Sequence, residues 1–448
     1  MNNDAMLDEK INTLLLRLSI PAICAQIVTI LYNTVDRLFI GRMAAGTLAI
    51  AGVGVVAPIS MALTGFTNLF CKGGASLSAI SLGRNNKKEA ETFLGNSFTS
   101  ILISSVIMIA LTLLMKDRLL GWFGASENTI AYADDYLSVY VLGTLFIQMT
   151  VGMNYYITTQ GFAKTAMITT MLGAVLNIVL DPLFIFVLDL GVSGAAWATV
   201  IAQGISCIWV LMFLFGKKTK LRIRKECLIY DSEIMKKTLS LGAAPFFMTT
   251  SESVLHICFN RQALYFGGDL AVSVMTILFT MFQFVNLPAQ GFAQGSQPIV
   301  GYCYGAKAYD RCRTTLKTAV RWALCYSLCM TAAMLVFPSV FIRMFNSDSD
   351  LAALGCRMLR IYIFGGLVIG ANSIYQQTYT SLGDGRLSFF FAFFRKVILL
   401  IPLLYLLPAV TPWGVYAVVL AEPVSDLMTT FVNRINFSRF LVKKFSDS

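Results

Sequence analysis

Long apolar runs separated by short charged segments are the dominant pattern of this 448-residue chain. No Lys, Arg, Asp or Glu occurs in the 29 residues between Arg42 and Lys72, or in the 37 residues between Asp269 and Lys307. A helix of about 20 apolar residues is long enough to cross the hydrocarbon core of a bilayer. The pattern therefore predicts membrane-spanning helices.

Reading the apolar runs between the charge clusters predicts twelve helices, an even number that places both termini on one side. Loops on that side are rich in Lys and Arg, as in "GRNNKK" and "GKKTKLRIRK", whereas the other side receives the acid-rich "ASENTIAYADDY" and "FNSDSD". Because positive loops stay in the cytoplasm, we expect both termini to be cytoplasmic. The approximate helix cores are 14–39, 46–71, 92–115, 136–160, 164–188, 192–215, 238–264, 270–300, 315–341, 357–380, 390–407 and 413–435.

Composition supports this interpretation, because 56% of the residues are hydrophobic and only 13% are charged. A soluble globular chain carries about 25% charged residues. We therefore predict an all-α polytopic membrane protein surrounded by the lipid bilayer. The net charge of +11 is typical of cytoplasmic loops in such a protein, so we expect no nucleic-acid partner.

Motifs of catalysis and metal binding are missing from the sequence. The ten cysteines are scattered singly, and no Cys/His group has the spacing of a metal site. The sequence has no P-loop and no nucleophile elbow. We expect neither an enzyme nor a bound cofactor or structural metal, so uphill transport would have to draw on an ion gradient.

A shift of 222 positions brings related features of the two halves into register, which indicates an internal repeat. Six helices per half give a parallel repeat of two pseudo-symmetric lobes. We predict lobes at 1–221 and 222–448, joined by a basic, solvated cytoplasmic linker around 216–237. Two such lobes suit alternating access, which points to a transporter. The glycines in register are Gly73 with Gly295, Gly83 with Gly305 and Gly161 with Gly383.

Ionisable residues inside the predicted spans are functional candidates, because they are costly to bury in a membrane. Asp36 lies in the first span, and Tyr32 precedes it by one helical turn and can face it. In the fifth span, Asn177 and Asp181 are four residues apart and share a helix face, and Pro182 loosens the backbone beside them. We interpret this set as a cation or proton site. The alternatives are that Asp36 pairs with neighbours or lies near the outer interface, and that Asp181 simply satisfies backbone polar groups where the helix is broken.

The second half contains two further pairs of ionisable residues with helical spacing. Glu252 and His256, the only histidine, are four residues apart and either share a titratable proton or form a packing pair. Glu422 and Asp426 repeat the spacing in the last span, without a role that the sequence defines. We expect the two cations at the start of span eleven, Arg395 and Lys396, to snorkel towards the cytoplasm.

Together these residues resemble the MATE family (multidrug and toxic compound extrusion), in its bacterial multidrug efflux branch. The resemblance rests on "LSIPAICAQIVTILYNTVDRLFIGR", "GGASLSAISLGRNNKKEAE", "LNIVLDPLFIF" with "GVSGAAWATVIAQ", and the twelve-helix, two-lobe plan. It implies a monomeric multi-pass protein of the bacterial plasma membrane. Such a protein exports cationic or amphipathic drugs in exchange for H+ or Na+.

The resemblance also implies roles for individual residues. The family's cation pocket is matched by Asp36, Asn177, Asp181 and Thr199, which would hold H+ or a transiently bound Na+. Supporting positions are matched by Pro21, Tyr32, Tyr136 and Asn154. One branch adds acids on helices 7 and 10; Glu252 matches the first, but the tenth span here has no acid. The candidates for a substrate site or a second coupling site are Glu252, His256, Gln283 and Asn286.

The mechanism we expect begins when the outward-facing protein takes up H+ or Na+ at Asp36 and Asp181. Neutralising this pocket changes the packing of the first helix near Pro21 and releases substrate outside. A flippase for lipid-linked saccharides is an alternative, but it would need a basic cleft and often fourteen spans. A passive receptor or channel would leave the intramembrane acids unexplained. The sequence names neither the natural substrate nor the coupling ion.

Overall fold

The computed structural model describes residues 5–43, 46–344 and 349–446. Within these ranges the regular structure is helical, without strands, which confirms the predicted all-α class. Residues 345–348, which belong to the predicted loop "FNSDSD", lie outside the described residues.

Twelve long helices make up the described chain, as the hydrophobic pattern predicts. Eleven of them are long and apolar enough to cross a membrane. The remaining one, α7, carries Glu252, His256 and Asn260 and continues into α8, with the helical backbone interrupted at Gly268 (φ 64°, ψ −165°). The helices are α1 Ile11–Gly41, α2 Leu48–Gly83, α3 Lys87–Trp122, α4 Ile130–Thr159, α5 Ala163–Val187, α6 Gly191–Phe215, α7 232–267, α8 Leu270–Gly305, α9 Tyr309–Val336, α10 Ser349–Ser381, α11 Gly385–Val410 and α12 Val415–Ser446.

Large apolar side chains cover much of the outer surface of these helices. Leu114 is 83% exposed and Phe431 is 68% exposed. A soluble monomer rarely exposes contiguous apolar surface on this scale, whereas lipid tails solvate it. The chain is a multi-pass membrane protein.

Irregular turns recur 222 residues apart, at the offset that the sequence predicts for the repeat. A 3₁₀ turn interrupts α4 at Val141–Gly143, and another interrupts α10 at Ile363–Gly365. Gly161 and Gly383, each just after one of these helices, have left-handed backbones with φ of 89° and 79°. The two halves therefore share local backbone geometry as well as hydrophobic pattern.

The chain folds as two compact units, one formed by residues 24–250 and the other by 1–23 together with 251–448. The boundaries of these units differ from those of the predicted lobes, 1–221 and 222–448. The bounds of the lobes stay a prediction.

Specific contacts fasten residues 5–23 to residues 251–448 of the same unit. Arg311 on α9 donates from Nε to the backbone carbonyl of Met6 at 2.9 Å, and from Nη2 to the carbonyl of Glu9. On α8, Gly295 lies so close to α1 that an added Cβ would be 2.7 Å from the Cα of Ser19. These contacts explain why the segment joins residues that are far away in sequence.

The predicted linker, 216–237, docks on the 24–250 unit through buried polar side chains. Gln160 accepts a hydrogen bond from the hydroxyl of Thr219 at 2.8 Å. The Asn96 amide donates to the backbone carbonyl of Cys227 at 3.3 Å. These hydrogen bonds hold the linker in place.

Candidate functional site

An acidic pocket forms where α5 meets α6, and it contains the predicted residues of these helices. The amide of Asn177 donates to Asp181 Oδ1 at 3.0 Å and to the hydroxyl of Thr199 at 3.2 Å. Asp181 is fully buried, and Asn177 is 3% exposed. Helical spacing on α5 brings Asn177 to Asp181, and the packing of α6 beside α5 adds Thr199. Three predicted site residues are therefore in hydrogen-bond contact.

Close packing of these two helices follows from their local sequence. Pro182 lacks a backbone N–H, and α5 ends after it in a π-helical turn, Leu183–Val187. On α6, an added Cβ at Gly194 would lie 2.7 Å from the carbonyl oxygen of Phe184. Only glycine allows this approach, and Thr199 follows it by five residues along α6.

Asp36 and two tyrosines complete the acidic pocket. Asp36 is 9% exposed and lies within electrostatic range of Asp181. Tyr136 on α4 is buried, lies within electrostatic range of both aspartates and of Tyr32, and stacks on Tyr140 with ring centroids 5.6 Å apart. Tyr32 and Tyr136 therefore belong with the predicted cation residues.

Three oxygens of the acidic pocket are buried and have no hydrogen-bond partner: Asp36 Oδ1, Asn177 Oδ1 and Asp181 Oδ2. No ion pair involves either aspartate in the part of the chain that the structure describes. A buried carboxylate without a counter-charge is strongly unfavourable unless it binds a proton or a cation. Carboxylate, amide and hydroxyl oxygens suit a hard cation, and a carboxylate alone suits H+.

Two predicted supporting residues lie elsewhere. Asn154 is eighteen residues after Tyr136 on α4, about 27 Å along the helix axis, so the two do not share a pocket. Pro21 is buried within the other compact unit. The roles expected for both residues at the cation pocket stay predictions.

The unit that contains residues 251–448 has an aromatic recess on its surface. His256 stacks on Phe279 with ring centroids 4.2 Å apart, and Tyr362 packs against Phe282 at 5.7 Å. The buried Oε1 of Gln283 has no hydrogen-bond partner. The residues that line the recess are Glu252, Leu255, His256, Phe259, Phe279, Phe282, Gln283, Tyr362, Lys396 and Glu422.

Three of the four residues predicted for a substrate or second coupling site, Glu252, His256 and Gln283, thus line this recess. Asn286, the fourth, is not among the described residues that line it.

A charge network adjoins the recess and consists of Glu252, Arg395, Lys396, Glu422 and Asp426. Lys396 Nζ donates to Glu252 Oε2 at 2.7 Å. Arg395 donates from Nε to Asp426 Oδ1 at 2.6 Å and from Nη2 to Glu422 Oε1 at 3.2 Å. Two cations from α11 thereby bind acids on α7 and α12.

Snorkelling of Arg395 and Lys396 towards the cytoplasm is a wrong prediction. Helix α11 begins at Gly385, so Arg395 lies ten residues, or about 15 Å, inside it. Arg395 is 9% exposed and Lys396 is 4% exposed. Acidic side chains hold both cations inside the unit, and Glu252 forms an ion pair with Lys396.

A family model described as MatE matches residues 21–183 and 245–406, more than half of the chain. The chain belongs to the MatE family. The two matched segments follow the internal repeat, one in each half of this MatE protein.

Relatives and solved structures agree with this assignment. The multidrug export protein MepA of Staphylococcus haemolyticus is 24% identical to this MatE protein over 435 residues, covering 96% of this chain and 95% of MepA. A crystal structure of a MATE mutant has a TM-score of 0.94 at 23% identity and covers 100% of both chains. The outward-facing conformation of a multidrug resistance MATE family transporter of the MOP superfamily has a TM-score of 0.93 at 23% identity, covering 100% of this chain and 99% of that chain. These likenesses confirm the MATE fold.

The residues that sequence reasoning missed in this MatE protein are the partners within the charge network. Arg395 and Lys396 occur in an otherwise apolar span, and Glu422 and Asp426 lie in the next span. Two buried cations need buried acids, so this balance was a usable signal for a network. The sequence does not show which acid each cation binds, because Lys396 and Glu252 are 144 residues apart.

Proposed function

We propose that this MatE protein is a secondary active exporter that exchanges cationic or amphipathic compounds for H+ or Na+ by alternating access. The observation that carries the proposal is the acidic pocket, in which one buried carboxylate oxygen of Asp36 and one of Asp181 have no hydrogen-bond partner. An ion-driven exporter needs an intramembrane group that releases and rebinds a cation in each cycle. The staphylococcal relative MepA is a multidrug export protein, which supports the same function.

The ion step uses the acidic pocket. H+ or Na+ enters between Asp36 and Asp181, while Asn177 and Thr199 hold the Asp181 side chain in place by hydrogen bonds. Ion binding removes the repulsion between the two carboxylates and changes how α1 packs, with Pro21 as the point where α1 bends. Exchange results when the ion and the substrate favour different states of the protein.

The substrate step uses the aromatic recess. Aromatic faces attract organic cations and tolerate many flat shapes, as expected for a transporter of diverse compounds. Glu252 supplies negative charge at the recess, with His256 and Gln283 beside it. The protein works as a monomer in the bacterial plasma membrane, and its chemistry is transport, without catalysis or a cofactor.

Reconstituted protein in liposomes tests this function. A pH gradient and a Na+ gradient are imposed separately, and export of a fluorescent organic cation is followed. We expect one gradient to drive export in the wild type, and Asp36→Asn to reduce export at least about tenfold. Asp117→Asn, at an exposed acid on α3, is the matched control and should export normally. Gradient-driven export by Asp36→Asn at the wild-type rate would rule out the scheme.

A further inference from the structure

The two cations of the charge network occupy different environments. Lys396 lines the aromatic recess together with Glu252 and Glu422, whereas Arg395 and Asp426 are not among the described lining residues. Arg395 and Asp426 are joined by a 2.6 Å ion pair, and Asp426 is fully buried. The network therefore has a deep pair, Arg395–Asp426, and a pair at the recess, Lys396–Glu252.

The recess pair is asymmetric in its access to a ligand. The side chain of Glu252 is 34% exposed, whereas that of Lys396 is 6% exposed. A ligand in the recess can therefore reach the carboxylate of Glu252, where the ammonium of Lys396 already forms its 2.7 Å ion pair. A cationic group that takes the position of this ammonium at Glu252 Oε2 displaces it.

Lys396 has a second acid available when it leaves Glu252. Glu422 also lines the recess, and Lys396 lies within electrostatic range of it. Removing one partner of a buried ion pair is costly because it leaves an unpaired charge. A shift of the flexible lysine from Glu252 to Glu422 avoids this cost, since Lys396 keeps a carboxylate partner throughout.

Charge counting sets the class of ligand. The network contains three acids, Glu252, Glu422 and Asp426, but only two permanent cations, Arg395 and Lys396. With all five groups ionised it carries one excess negative charge. One monovalent cation balances this charge, whereas a dication would leave an excess positive charge and an anion would double the imbalance.

We propose that Lys396 is a tethered counter-ion that occupies Glu252 in the empty recess and is exchanged for the head group of a monocationic aromatic substrate. This inference rests on the proposed function and names the substrate class of its recess. The aromatic walls, including His256, Phe279 and Tyr362, hold the flat body of the substrate. The unpartnered Oε1 of Gln283 accepts a hydrogen bond from an N–H group of its head.

Ethidium and propidium test the proposal, since they share one flat ring system with amino groups and carry one and two positive charges. Binding to purified full-length protein in detergent is measured by fluorescence anisotropy. We expect the wild type to prefer ethidium. Lys396→Met removes the competing ammonium, so it should bind ethidium about tenfold more tightly and lose most of its discrimination against propidium.

Matched variants locate the effect. Glu252→Gln should weaken ethidium binding about tenfold, and Lys396→Met should bring less gain in this variant than in the wild type, because the two residues act as one pair. Lys116→Met breaks a lysine–carboxylate pair of 2.6 Å with Asp134 in the other unit and should leave binding unchanged. Size-exclusion profiles and melting temperatures identify variants that do not fold. If Lys396→Met does not fold, Glu252→Gln by itself tests the recess.

Failure of the proposal differs from failure of the proposed function. Unchanged or weaker ethidium binding by folded Lys396→Met, unchanged binding by Glu252→Gln, or a wild-type preference for propidium would overturn the tethered counter-ion. If ethidium binds as predicted but neither ion gradient drives its export from liposomes, the counter-ion stands and the export function fails. If gradients drive ethidium export while Lys396→Met binds like the wild type, the function stands and the counter-ion fails.

Discussion

The acidic pocket and the charge network share a sequence pattern but differ in whether their acids have a basic partner. On α5, Asn177 and Asp181 are four residues apart beside Pro182; on α12, Glu422 and Asp426 are four residues apart around Pro423. In the pocket, the aspartates have no basic partner among the described residues. In the network, Arg395 bridges both acids of α12. The acidic pocket needs a cation from outside, whereas the two acids of α12 share Arg395.

This difference separates the ion site of the proposed function from the Arg395 contacts that hold α11 to α12. An isolated buried charge is strongly unfavourable, so the pocket is stable only when a proton or an ion occupies it or when water reaches it. A hydrogen-bonded buried ion pair needs no external ion to balance its charges, and losing one partner is severely destabilising. The same substitution, removal of a charge, should therefore have opposite effects on stability at the two sites.

The largest effect is expected at the network. Arg395→Met leaves Glu422 and Asp426 buried without their cation, so we expect a loss of about 3–5 kcal/mol in the free energy of unfolding. Detergent-solubilised protein would show this as a large fall in melting temperature. Arg343→Met, at an exposed arginine after α9, is the matched control and should change stability little. A variant as stable as this control would mean that the network is not needed for stability.

The opposite outcome is expected at the pocket. Asp181→Asn removes an unpaired buried charge at nearly constant volume, so the ion-free protein should be at least as stable as the wild type. An ion concentration of a hundred times the dissociation constant should stabilise the wild-type protein by about 2.7 kcal/mol. Asp181→Asn should lose this protection. Melting curves in NaCl against choline chloride, and separately across pH, would identify the protecting ion. Equal protection of Asp181→Asn and wild type would place the ion elsewhere.

Much of this architecture could be predicted from the sequence, because its signals are local. Spans follow from apolar run length, the repeat from glycine register, and the contact of Asn177 with Asp181 from helical spacing. Thr199 could be included only through the family resemblance, because the approach of α6 depends on packing at Gly194.

The rest depends on contacts between distant segments. Adjacent residues on an α-helix point about 100° apart, yet Arg395 and Lys396 both find acids from a π-helical turn, Phe394–Leu400, which the sequence pattern did not reveal. The docking of the linker is equally difficult to predict, since the side chains of Asn96 and Gln160 bind backbone groups of an irregular segment. Burial of a charge predicts that a partner exists, but only the tertiary fold selects which one.

The smallest effect is expected at Thr199, which touches the pocket through one neutral hydrogen bond. Thr199→Val removes the hydroxyl that accepts from Asn177 at 3.2 Å and leaves the amide bound to Asp181 alone. A bond of this kind contributes about 1 kcal/mol, so the ion concentration that gives half-maximal protection should rise about fivefold. Thr199→Ser keeps the hydroxyl and should behave like the wild type. A loss of protection as complete as that of Asp181→Asn would make the hydroxyl a direct ligand of the ion, and the pocket would then favour Na+ over H+.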